Sequence, residues 1–203
     1  MGQLRRRGIT SAPALAALEM VPRELFLPAR MRDRAYEDRA LPIGAGQTCS
    51  QPWIVAAVVQ ALELAPGGAV LEIGAGSGYL AAVLRSAGAG RVVTVELIPE
   101  LAARARSNLN RAGVEGVEVR LGDGARGAPG GAPFEAVVIS AVAAQVPPRL
   151  PEQVAPGGRL LCPLRMDGEE HLWVHRRLGD GWQRTDLGPC RFVPLRRPDG
   201  GEA

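Results

Sequence analysis

The stretch "VLEIGAGSGYLA", residues 70–81, decides how this 203-residue chain folds. A short apolar strand runs into Gly74, Gly76 and Gly78, and a helical pattern follows at once. Glycines at such a turn adopt angles closed to other residues and let a ligand touch the backbone. A loop at the carboxyl end of a parallel strand is the usual ligand position in open α/β sheets. The spacing is Gly-x-Gly-x-Gly, and Tyr79 stands where the dinucleotide fingerprint needs its third glycine. Glu72, beside the loop, would repel a pyrophosphate and suits a cation.

Outward from this loop the pattern alternates. Strands are expected at 69–74, 91–97, 117–123, 134–141 and 158–164. Helices are expected at 78–88 and 99–113, with a broken one at 146–154. Alternation through short links means a parallel sheet covered on both faces. After 165 the pattern changes: Gly179-Asp180-Gly181 separates two strand-like runs, an antiparallel pair finishing the sheet. Upstream, 11–20 reads as a helix with Ser11 as its cap. Residues 21–44 read as short helical turns and loop, and Ile54–Leu64 as a helix ended by Pro66-Gly67-Gly68. The fold class is α/β: a Rossmann-like, doubly wound, mostly parallel seven-stranded sheet with an N-terminal helical extension. One domain is expected, with a helical and loop region (1–65), a core (66–165) and terminal strands and tail (166–203).

Composition narrows the class. Apolar residues are 46% and aromatics only 4%, so the core is built from Ala, Val and Leu. The net charge is +3 and all 24 basic residues are Arg. They are dispersed, with "RRR" at 5–7 and "RRP" at 196–198 the densest clusters, which argues against a nucleic-acid surface. Cys49, Cys162 and Cys190 form no paired motif, so neither a disulfide framework nor a zinc site is indicated. Reduced thiols and the lack of a run of roughly 20 apolar residues lead us to expect a soluble, cytoplasmic protein. His171 and His175 stand four apart in the terminal strands without a third ligand and are read as structural. Trp53, Trp173 and Trp182 are read as packing anchors.

Two further acids join the loop. Glu96 closes the second strand, 20 residues beyond Gly76, where a carboxylate can accept hydrogen bonds from both ribose hydroxyls. Asp123 closes the third strand between two glycines, where a carboxylate can take an adenine amino group. Neighbouring strand ends form one cleft. A nucleoside carrying a cation fits all three acids, as S-adenosylmethionine does.

Together these residues resemble class I S-adenosylmethionine-dependent methyltransferases. The longer combination resembles the protein-L-isoaspartate O-methyltransferase family: "LRRRGI" (4–9), "VPRELFLP" (21–28), "LPIGAGQTCSQP" (41–52), "GDG" (122–124), "PGGRLLCPL" (156–164) and "RFVPL" (191–195). "LPIGAGQTCSQP" is its specific signature. The resemblance implies methyl transfer to the free carboxylate of L-isoaspartyl, and often D-aspartyl, residues in damaged proteins and peptides. It implies S-adenosyl-L-methionine as cofactor and S-adenosyl-L-homocysteine as product; no metal, no membrane and a monomer are expected. It assigns cofactor binding to Glu72, Gly74, Gly76, Gly78, Glu96, Asp123 and Gly124, the active-site serine to Ser50, and substrate contact to Thr48 and Ser50. Cys49 stands where the family has isoleucine, a modest change for a side chain facing the core. "SAVAAQVP" (140–147) departs from the family pattern, and Val142 is expected to line the peptide groove.

A carboxylate, ionised at pH 7 with a free value of about 4, attacks a sulfonium methyl without a general base. A loop with hydroxyls and amides, rather than histidine, meets that need. The competing reading has Ser50 or Thr48 merely capping the following helix. Two other functions keep the cofactor: methylation of another acceptor (a modified peptide, small molecule or nucleic acid), or a binding module without turnover.

Overall fold

The computed structural model describes residues 1–199 and 201; positions 200, 202 and 203 of the expected tail lie outside the described residues. Its seven-stranded sheet is built around β3 (Ala69–Ile73), the strand that enters the glycine loop. β4 (Arg91–Glu96) and β6 (Phe134–Ile139) flank it in parallel. β5 (Val117–Leu121) lies beyond β4, and β7 (Val154–Met166) beyond β6. β8 (Glu169–Leu178) and β9 (Gly181–Pro189) complete the sheet as an antiparallel meander, giving the order β5-β4-β3-β6-β7-β8-β9. Strand order reverses between β3 and β6, so a crevice opens at their carboxyl ends.

Adjacent strand residues pack on opposite faces, as period-two geometry dictates. Val70, Val92 and Val138 join one core cluster, and Leu71, Val93 and Val137 the other. Among the described residues each α-helix contributes buried side chains to the first: α1 (Gly2–Arg6), α2 (Ala12–Met20), α3 (Pro52–Leu62), α4 (Tyr79–Ser86) and α5 (Pro99–Arg111). The second face is closed by strands, loops and short 3₁₀ turns, with Ala128, Leu150 and Leu195 buried there. The broken helix expected at 146–154 is reduced to the 3₁₀ turn Pro151–Gln153. Pro147, Pro148 and Pro151 each lack the N–H that a helix interior needs.

Other boundaries move for local reasons. α3 starts at Pro52 rather than Ile54, since proline suits the first helical position, and it stops before Glu63, which is left-handed at φ 43°. Ser11 accepts the Ala14 N–H at 3.3 Å, so it caps α2. The segment before α3 is not a loose loop. It is an antiparallel hairpin of β1 (Leu41–Gly44) and β2 (Gln47–Cys49). Ala45 and Gly46 make its turn with φ of 51° and 70°. Two positive φ angles are what a two-residue hairpin turn following the strand twist requires.

Candidate active site

One cleft is lined by both halves of the sequence signature: Thr48 and Ser50 from the hairpin side, and Glu72, Gly74, Gly76 and Glu96 from the strand ends. At its base, β3 ends in Gly74 (φ 93°), Gly76 (φ 53°) and Gly78 (φ 85°), all left-handed. A Cβ on Gly78 would lie 3.3 Å from the Ala105 carbonyl and 3.2 Å from Leu109, so that glycine lets the loop sit tight on α5. Glu96, 5% exposed, braces this loop. Its Oε2 accepts the Gly76 N–H at 2.8 Å and its Oε1 accepts the Ile98 N–H at 3.0 Å. Each oxygen keeps a lone pair for a further donor.

Glu72 is 1% exposed, and its Oε2 is buried without a hydrogen-bond partner among the described residues. Burial is the main cause that pushes its carboxyl up to about 8; the Thr94 hydroxyl opposes the shift and the Glu96 carboxylate adds to it. A buried acid with a vacant oxygen, lining the same cleft as a backbone-exposed glycine loop, fits a nucleoside that carries a positive charge. The residues present therefore fit S-adenosylmethionine.

The sign of this shift makes a test. Without ligand the folded chain holds the Glu72 proton between the ordinary carboxyl value of 4.5 and about 8. Its contribution to stability therefore falls as pH rises through that window. A cation prefers the ionised form, so cofactor affinity is expected to rise about tenfold per pH unit below 8 and to level above it. Titration calorimetry from pH 6 to 9 against Glu72→Gln reads the difference, and equal slopes for the two proteins would refute it.

The other sequence-derived positions divide. Ser50 is half-buried and Thr48 exposed on the hairpin. The N-cap of α3 is Gln51, with no side-chain cap hydrogen bond, so neither hydroxyl is spent on that helix end. Cys49 faces inward at 3% exposure. Asp123 Oδ1 accepts the Ala125 N–H at 2.9 Å, capping a 3₁₀ turn, and Asp123 is not among the cleft residues, whereas Gly124 is. Gly124 is small for an internal reason: a Cβ there would lie 2.3 Å from Ile73 Cγ2. Val142 is placed elsewhere than the groove. At 3% exposure it bridges to Pro194, and it is absent from the cleft lining. The strand end it follows contributes Ser140 and Ala141 instead. His171 Nδ1 and Asp186 Oδ2 are 2.7 Å apart on the edge meander, and His175 is buried in β8, its value lowered by burial and then by Arg184. Among the described residues no group of three His, Cys, Asp or Glu is placed to hold a metal.

Two contributors escaped the sequence reading. Arg23, 1% exposed, donates from Nη1 to the carbonyls of Ala35 (2.7 Å) and Glu37 (3.2 Å). From Nη2 it donates to those of Arg39 (3.0 Å), Cys49 (3.2 Å) and Ser50 (2.7 Å). Its guanidinium also lies 5.8 Å from the centre of the Tyr79 ring, at the start of α4. One buried cation thus ties the hairpin to the glycine loop. The second contributor is Val193–Arg196, which returns from β9 to the cleft. An arginine inside "VPREL" was the one available signal for the first; the second has no local signature.

Fold and cleft together define a class I S-adenosylmethionine-dependent methyltransferase. Residues 1–199 match the family described as Protein-L-isoaspartate(D-aspartate) O-methyltransferase, and the chain belongs to that family. It is 49% identical over 200 residues to "Protein-L-isoaspartate O-methyltransferase 1" of Rhodopseudomonas palustris (strain HaA2), covering 98% of this chain and 81% of the relative. Among solved structures, a protein-L-isoaspartate O-methyltransferase superposes with a TM-score of 0.88 at 29% identity, covering 97% of this chain and 65% of that one. A Plasmodium falciparum protein in complex with S-adenosyl-L-homocysteine shares the fold, with a TM-score of 0.81 at 21% identity, 96% of this chain and 95% of that one covered. Among the described residues no helix is long and apolar enough to cross a membrane.

Proposed function

We propose that this chain methylates the free carboxylate of L-isoaspartyl residues in damaged proteins and peptides, the step that starts their repair through a succinimide. The observation carrying this reading is the single cleft that joins the Thr48–Ser50 hairpin to the acid-and-glycine floor, in a chain of this family. S-adenosylmethionine, when bound, supplies a methyl group on a sulfonium and leaves as S-adenosylhomocysteine. Glu72 meets the cationic end, Glu96 the ribose hydroxyls, and Gly124 the adenine edge, while Gly74, Gly76 and Gly78 let the backbone approach. Ser50, with Thr48 beside it, holds the acceptor carboxylate. That acceptor is already ionised, so no group must remove a proton, and among the described residues no histidine lines the cleft. The chain's contribution is alignment and exclusion of water, worth roughly 7–11 kcal/mol at most. Three free cysteines support a reducing compartment such as the cytoplasm.

The test pairs isoaspartyl and ordinary aspartyl versions of one peptide with labelled S-adenosylmethionine. Base-labile label on the isoaspartyl version alone is expected; equal or absent labelling would overturn the reading. Ser50→Ala is expected to lower kcat/KM for the isoaspartyl peptide about tenfold, the loss of one hydrogen bond to a charged acceptor. Cofactor affinity and melting temperature should hold, because the hydroxyl caps nothing. A collapse in melting temperature would return Ser50 to a structural role.

A further inference from the structure

The cleft carries an uneven distribution of charge. Among the described residues its two acids, Glu72 and Glu96, are buried at the strand ends, and its one basic lining residue, Arg196, is exposed on the hairpin side. Arg196 is there because the backbone before it is pinned. Val142 donates its N–H to the Val193 carbonyl at 2.9 Å, and Leu195 donates back to the Val142 carbonyl at 2.8 Å. Leu195 is buried in the second core cluster. The next residue therefore leaves the core at a fixed point, and its guanidinium reaches the turn of the hairpin. Arg196 Nη2 lies 3.5 Å from where a Cβ on Gly46 would be.

We infer that Arg196 is a specificity-determining residue that binds a carboxylate flanking the reacting residue in the substrate peptide. This rests on the isoaspartyl reading above. An arginine keeps its charge at any working pH and offers a planar fork matched to a carboxylate. Its place on the rim, across the Gly46 turn, separates it from the reacting carboxylate that Ser50 holds. A carboxylate on a neighbouring peptide residue would lie across the Gly46 turn, where the fork stands. The same cation disfavours peptides whose flanking residue is basic.

Three isoaspartyl peptides that differ only in one flanking residue (Glu, Gln or Arg) test this. Each is measured for kcat/KM, and for affinity by titration in the presence of S-adenosylhomocysteine, at low and high salt. The wild-type chain is expected to prefer the Glu peptide over the Gln peptide about fivefold, the upper range for an exposed ion pair. High salt should erase the preference. Arg196→Gln should abolish it, and Arg196→Glu should invert it toward the Arg peptide. A wild-type ratio near one, or a ratio unchanged in Arg196→Gln, would overturn the inference. Failure of the wild-type chain to methylate any of the three would instead overturn the isoaspartyl reading, while the affinity series would still decide the role of Arg196.

Discussion

Arg23→Met is expected to destabilise the fold by about 3–5 kcal/mol, the cost of removing one partner from a buried charged network. For a chain of this size that is a fall of about 10 °C in melting temperature. The reason is the set of five carbonyls gathered by one guanidinium, of which those of Ala35 and Cys49 are bonded in fully buried surroundings. Methionine fills the volume and donates nothing, so these oxygens would stay dry and unpaired. Arg23→Lys keeps the charge and three donors and should recover part of the loss. Thermal unfolding followed by circular dichroism separates the three proteins. A melting temperature for Arg23→Met within about 2 °C of wild type would show that the network contributes little.

Glu96→Ala is expected to weaken S-adenosylmethionine binding at least a hundredfold, measured by titration calorimetry. Two hydrogen bonds from ribose hydroxyls to a carboxylate contribute about 1.5–3 kcal/mol each, and ~3 kcal/mol is already more than a hundredfold in affinity. The substitution also removes the acceptor for the Gly76 and Ile98 N–H groups, so the loop that receives the ligand is loosened as well. At saturating cofactor the KM for peptide should change little, since Glu96 lies on the floor and not on the hairpin. An affinity within threefold of wild type would remove Glu96 from the ribose.

The fold class and the floor of the cleft were legible because they are local. Strand, glycine turn and helix follow one another within residues 70–81, and each acid closes its own strand. The hairpin was not legible as one. Its turn, Ala45-Gly46, lacks the Asn-Gly or Asp-Gly pair that marks such turns, and polar residues around it read as a flexible loop. Arg23 was missed because its partners are main-chain carbonyls 12 to 27 residues away, which no side-chain pattern encodes. Val142 was misplaced because the residues that cover it arrive from beyond β9. Asp123 and Gly124 show a subtler limit. The pair looked like room left for a ring, yet the glycine is demanded by Ile73 on the neighbouring strand.

The β8–β9 meander works as a measuring rod. From the sheet's outer edge the chain returns through Cys190, whose N–H meets the Glu170 carbonyl at 2.8 Å, and Phe192, whose N–H meets Glu170 Oε2 at 3.1 Å. Those clamps set where 193–196 lands on the far rim. Residues added at the Gly179-Asp180 tip would be absorbed outside the clamps, whereas one added between 190 and 193 would advance the returning strand by about 3.4 Å. Tolerance to insertion thus follows the tether and not the distance from the chemistry.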